Sequence, residues 1–149
     1  MEFETLYDIQ QAGCRYGFVP IVLLGVLVIA LATGRRSTHP LAMALFFAIL
    51  TAIAYLATWH EYFSLLRGMQ AGQAATMTGA VHDFQAAANE KAPESFAVDG
   101  QTFTYRNFAT KQGFHTLRMD GNPLVDGATV RVTYVGDHIL RLEVAARGQ

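Results

Sequence analysis

The sequence predicts a membrane α-helical hairpin that carries a small all-β domain. Three observations support this. Residues 18–33 and 41–59 contain no charged side chain. The seven residues between them, Gly34-Arg35-Arg36-Ser37-Thr38-His39-Pro40, are polar, basic and turn-forming. Beyond about residue 75 the apolar pattern changes from helical spacing to alternation, with Asp99-Gly100 and Gly136-Asp137 between apolar runs. A spanning helix needs about 20 predominantly apolar residues, within a range of about 17 to 25. The second segment reaches that length alone, and the first does so with Tyr16 and Gly17 included.

The N-terminal segment, 1–17, is acidic at its start (Glu2, Glu4, Asp8), and its first basic residue is Arg15. A secretory leader begins with positive charge, so the first span is expected to be retained. Phe3, Leu6, Tyr7 and Gln10 fall at helical spacing, which predicts a short helix lying at the bilayer interface. Cys14 is the single cysteine and excludes an intrachain disulfide.

The hairpin occupies 18–59. Pro20 falls in the first turn of the first helix, where its missing N–H breaks no helical bond. In the second helix Ala44, Ala48 and Ala52 recur every four residues, a spacing of small side chains that admits a close neighbour. The partner expected on that face is the first helix near Gly25, or the same face of a second copy. Trp59, His60, Tyr62 and Phe63 make an aromatic exit at headgroup depth. Residues 60–75 read as a helical extension that weakens into a connector at Gly68 and Gly72.

The β domain is expected to occupy 76–149 as a self-contained unit of five strands: 76–84, 94–98, 101–108, 129–135 and 138–144. Gly79 interrupts the first and marks a bulge or sharp bend. Asp-Gly is the strongest short hairpin signal. Phe103 and Tyr105 share one face of the third strand. Val130, Val132 and Tyr134 share one face of the fourth, and Leu140, Leu142 and Val144 one face of the fifth. Closing such strands into a barrel buries their apolar faces and removes their edges. The strand number and the long connection after the third favour a five-stranded OB-like barrel, with an SH3-like barrel as the runner-up.

Signals for chemistry are few. His60-Glu61 begins like a zinc-protease signature, but Ser64 stands where the second histidine is required. The other histidines are scattered, and no phosphate loop or nucleophile elbow occurs. Neither a metal nor a cofactor is expected. Net charge is −1, and from Gly79 onward seven Lys/Arg face eight Asp/Glu, so the basic footprint of a nucleic-acid binder is missing. Phe103 and Tyr105 are assigned to the core. Phe108, Phe114 and His115, at a strand end and in the following loop, are the candidate partner-binding surface.

The order of two membrane helices followed by a small barrel resembles the NfeD-type membrane proteins in layout. That resemblance implies an OB domain and an accessory role beside membrane scaffolds and proteases. The phrases Phe3-Glu4-Thr5-Leu6-Tyr7-Asp8-Ile9 and Val130-Arg131-Val132-Thr133-Tyr134-Val135-Gly136 resemble uncharacterised small bacterial two-helix membrane proteins, which implies no activity.

The sequence therefore reads as a non-enzymatic, multi-pass protein of a bacterial inner membrane whose barrel docks another protein. The alternatives are a membrane-tethered enzyme or ligand-binding protein acting on an envelope or lipid substrate, and a toxin-immunity protein. Its expected partners are the lipid bilayer, a second protein and, through the membrane helices, a second copy, but not nucleic acid. Arg35 and Arg36 lie together in the short turn, two against a single arginine at each outer end, Arg15 before the first span and Arg67 beyond the second. By the positive-inside rule this places the turn in the cytoplasm and both termini, with the barrel, in the periplasm.

Overall fold

The computed structural model describes residues 2–33, 40–107 and 111–146. Arg35, Arg36 and Phe108 lie outside the described residues. In chain order the elements are β1 (Phe3–Asp8), α1 (Ile9–Ala12), α2 (Phe18–Thr33), α3 (Pro40–Tyr55), a π-helical turn (Leu56–His60), α4 (Glu61–Gln70), β2 (Ala75–Gln85), β3 (Glu94–Val98), β4 (Gln101–Tyr105), β5 (Thr129–Val135) and β6 (His138–Ala145).

α2 and α3 pack on each other and are apolar on all sides. Phe18, Ile21, Leu41, Phe46 and Ile53 are each more than half exposed. A helix of that kind belongs in a large core or in lipid. One helix, Leu41–Gln70, is long and apolar enough to cross a membrane by length and composition, and Phe18–Ala32 is a shorter apolar helix. The half-buried face of α3 runs through Ala44, Phe47, Thr51 and Ala54 and ends at buried Thr58. Thr51 Oγ1 and Thr58 Oγ1 donate to the carbonyls of Phe47 and Ala54 at 2.8 and 2.7 Å, so neither hydroxyl is left unsatisfied in an apolar layer.

The β part departs from the expected five-stranded barrel. It is a six-stranded antiparallel sheet in the order β1-β6-β5-β2-β3-β4, and it is open. The extra strand is β1, formed by the residues expected to make an interfacial helix. β1 pairs with β6 from Phe3↔Ala145 to Asp8↔Arg141, with a register break between Thr5 and Tyr7. That break inserts Leu6 and spoils the two-residue period. Its apolar side chains then recur at helix-like intervals, which explains why the segment reads as a helix.

β2 serves two partners. Ala75–Ala80 pair with β5 and the stretch from Val81 to Gln85 with β3. The switch occurs beside Gly79, where an added Cβ would stand 3.0 Å from Val98 Cγ1. Gly79 itself stays in regular register with Val130, and the break in β2 falls between His82 and Gln85; what requires the glycine is the close approach of Val98.

Two cores result. The first, inside the curled sheet, is built on Val81, Phe96, Phe103, Leu117, Leu124, Val130, Val132 and Leu142. The second lies between the sheet and the helical stem and contains Ile9, Tyr62, Leu65 and Leu140. Leu140 departs from the expected shared face with Leu142. The pairing passes from Thr133↔Arg141 to Tyr134↔Ile139, so Leu140 is an extra residue in β6 and turns to the opposite side. α4, the expected helical extension, is thus seated on the sheet.

Candidate functional site

The open sheet leaves two edge strands, and side chains of the long connection after β4 fill the space between them. Phe114 is 4% exposed and stacks obliquely on Tyr105 of β4, with ring centroids 4.9 Å apart, and edge-on against Tyr7 of β1 at 5.7 Å. Its N–H donates to the Ile139 carbonyl of β6 at 3.1 Å. Gly113, with φ +120, lets the loop come this close, since a Cβ there would stand 3.0 Å from that same carbonyl oxygen. Phe114 is therefore a core wedge and not the partner surface expected of it.

His115 is also interior, at 8% exposure. Its Nδ1 lies 2.8 Å from the Arg106 carbonyl oxygen and its Nε2 2.6 Å from that of Lys111. Burial pushes its pKa below the usual imidazole value, the Arg106 carbonyl pulls it up, and the charge of Arg15 lowers it further. His115 staples the start of the connection to its own loop, so it too is withdrawn from a partner.

A buried polar group stands behind the wedge. Glu94, 1% exposed, accepts from the Arg118 N–H at 2.9 and 3.0 Å, from the Ala87 N–H at 3.3 Å and from the Tyr105 hydroxyl at 2.9 Å. Asn122 Nδ2 donates to the Tyr105 oxygen at 2.8 Å. Burial and the neighbouring Glu94 carboxylate push the Tyr105 pKa well above the usual phenol value, which keeps its proton available to Glu94. Tyr7 is raised to about 12, chiefly by burial.

The connection is also tied to the residues just before α2. The Gln112 carboxamide accepts from the Arg15 N–H at 2.9 Å and donates to the Arg15 carbonyl at 3.1 Å. The Arg15 guanidinium donates to the Asn107 carbonyl. Trp59 Nε1 donates to the Gly17 carbonyl at 2.9 Å and closes the base of the hairpin. Beside these contacts lies a cleft of about 460 Å³ bordered by Thr104, Arg106, Lys111, Gln112, Asp137 and His138. Lys111 Nζ and Asp137 Oδ2 are 2.6 Å apart; their contact raises the lysine pKa and lowers that of the aspartate. Among the described residues no group of three His, Cys, Asp or Glu side chains is placed to hold a metal.

The residues singled out in α2 and α3 are not brought together. Ala44 is half-buried on the α3 face, whereas Ala48 and Ala52 are exposed and line an apolar groove with Pro20, Ile21 and Leu24. A Cβ on Gly25 would meet nothing within 4 Å, so Gly25 is not a contact point for α3.

Compared with protein-family models, with curated proteins and with solved structures, the chain matches none.

The feature most relevant to partners is one that sequence reasoning assigned to a closed barrel: the free edge of β4. The hairpin turn Asp99-Gly100 has φ values of +48 and +82, and Val98 pairs with Gln101 across it. In a two-residue hairpin the flanking pair is hydrogen-bonded. Alternation then directs the N–H and C=O of Thr102 and Thr104 away from β3, towards the free edge. Arg106 follows in the same phase, and its carbonyl is the one taken by His115. Among the described residues Thr102 and Thr104 have no strand on that side.

Proposed function

We propose that this protein is a membrane-anchored docking module. Its helical hairpin crosses a bacterial inner membrane, and its sheet receives an extended segment of another protein along β4. The observation that carries this reading is the contrast between the two edges. β1 has devices that discourage pairing: exposed, charged Glu4 and a bulge at Leu6. β4 (Gln-Thr-Phe-Thr-Tyr) has neither charge nor proline, and its pairing with β3 has no register break. An unguarded edge with two outward-facing residues supports strand addition, in which main-chain hydrogen bonds supply the affinity. The pair Arg35 and Arg36 in one short turn, against a single arginine at each outer end (Arg15, Arg67), is the ground for reading the sheet as periplasmic.

A photo-activated cross-linker at Thr102, compared with one at Thr76 on an interior strand, tests the docking reading in native membranes. The expected result is one adduct of discrete mass from position 102 only. Thr104→Pro should abolish it without lowering the melting temperature, because the lost N–H faces outward and takes no part in pairing with β3. An adduct that survives Thr104→Pro, or none at all, would overturn the reading. An adduct of twice the chain mass would replace the second protein by a second copy.

A further inference from the structure

We infer that the cleft between Arg106, Lys111 and His138 binds the phosphate headgroup of an anionic membrane lipid. This rests on reading α2 and α3 as membrane-spanning.

The first argument concerns depth. Both walls of the cleft are fixed to the residues through which the hairpin leaves its apolar layer. One wall, at 106–107 and 111–112, is held to Arg15 by the two Gln112 hydrogen bonds and by the Arg15 contact with the Asn107 carbonyl. Arg15 lies just before Phe18, where α2 begins. The other wall is held by His138, whose Nδ1 is 2.9 Å from the Gln112 carbonyl oxygen and whose Nε2 is 3.7 Å from Glu61 Oε1. Glu61 follows directly on the Trp59 collar, which itself bonds to Gly17. Tryptophan collars sit at headgroup level, and so does a cleft held on both sides to this one.

The second argument is chemical. Arg106 is exposed, and among the described residues its guanidinium makes no ion pair and no hydrogen bond. Lys111 is exposed too; among the described residues bordering the cleft the one carboxylate, Asp137, is already shared between Lys111 at 2.6 Å and His138 at 3.3 Å, while Glu61 approaches the same His138 nitrogen to 3.7 Å. The acid is thus claimed by two bases, and a guanidinium remains to be matched. The non-bridging oxygens of a phosphodiester match it, with Lys111 as a second donor. A volume of about 460 Å³ suits a headgroup and is too small for a folded partner. The fixed depth favours lipid over free phosphate as the source.

The test uses the full-length protein in nanodiscs of equimolar phosphatidylglycerol and phosphatidylcholine, with retained lipids counted by native mass spectrometry. The wild type should retain phosphatidylglycerol in preference. Arg106→Gln and Lys111→Gln should each lower that preference about fivefold. Asp137→Asn, which removes the competing acid, should raise it, an effect that misfolding cannot imitate. Equal retention of the two lipids, or a preference unchanged by Arg106→Gln, would overturn the site. Displacement of the bound lipid by millimolar inorganic phosphate would also overturn it, assigning the cleft to free phosphate. Alkaline carbonate washing of native membranes separates the two levels of failure. A protein that stays in the pellet but shows no lipid preference loses only the headgroup site, whereas one released by carbonate loses the membrane reading and this inference with it.

Discussion

Glu94 and His115 illustrate how a residue's surroundings, invisible in the chain, decide its role. Glu94 begins a strand and in sequence is an ordinary surface glutamate. The β2–β3 loop supplies the Ala87 N–H, β4 the Tyr105 phenol and the connection after β4 the Arg118 N–H, so a carboxylate with no cationic partner among the described residues is stabilised by hydrogen bonds. His115 looks like a loop residue open to a partner, yet it is buried between two carbonyl oxygens. Its lowered pKa gives a prediction with a definite sign. The folded protein releases the His115 proton more readily than the unfolded chain, whose imidazole titrates near the ordinary value of about 6.5. The stability that His115 contributes is therefore fully present above that value. It is lost as the pH falls from there through the depressed folded-state value. Arg15 and His138 both act on this group with positive charge and so reinforce the loss. Thermal melts in detergent at pH 7.5 and pH 5.5 should show a decrease for the wild type and a smaller one for His115→Gln. Equal slopes in the two proteins would place the acid sensitivity elsewhere.

Among the elements, the bounds of most strands were legible from alternation. β3, β4, β5 and β6 fall within three residues of the stretches read from alternation, and Asp99-Gly100 makes the hairpin that its residue types demand. Where a bulge intervenes the period fails. In β1 the inserted Leu6 turned a strand into an apparent helix, and in β6 the extra Leu140 sent one leucine to a second core that alternation could not reveal. Gly79 lies between these cases: its type signalled a bend, but the neighbour that requires the glycine, Val98, lies on another strand. Two glycines therefore predict opposite outcomes for the same substitution. Gly79→Val drives a branched side chain into Val98 and should cost about 1 to 3 kcal/mol. Gly25→Val on α2 meets open space and should leave the melting temperature within a degree or two of the wild type. Equal effects at the two positions would mean that β2 and β3 do not approach as closely as described.

Over the whole molecule, the division into a membrane hairpin and a separate β domain from residue 76 is the expectation most altered by the structure. The sheet is completed by residues that precede the hairpin, and the hairpin's stem covers the sheet's outer face. β1 enters the sheet before α2, and the chain returns to it only after α4. Both ends of the hairpin are therefore fixed to one β unit, and Asp8, 5% exposed, pairs with Arg141 across β1 and β6. Cutting the chain at Ala75 removes three supports at once. β6 loses its outer partner, Arg141 loses Asp8, and Leu140 loses Ile9, Tyr62 and Leu65. A strand edge uncovered in this way invites association, and the apolar contacts at a fully buried leucine are worth about 2 to 5 kcal/mol, a large part of the stability of so small a domain. The fragment 75–149 should therefore aggregate or melt broadly. Joining residues 2–12 to its N-terminus through a flexible linker should restore a cooperative transition and protect the β6 amides from hydrogen exchange. The α4 face would still be uncovered, so substituting Leu140 by a polar residue should improve the solubility of the linked fragment without unfolding it. If the unlinked fragment already melts as a cooperative monomer with protected β6 amides, β1 is an accessory to the sheet, and the hairpin is joined to the β domain by the chain alone.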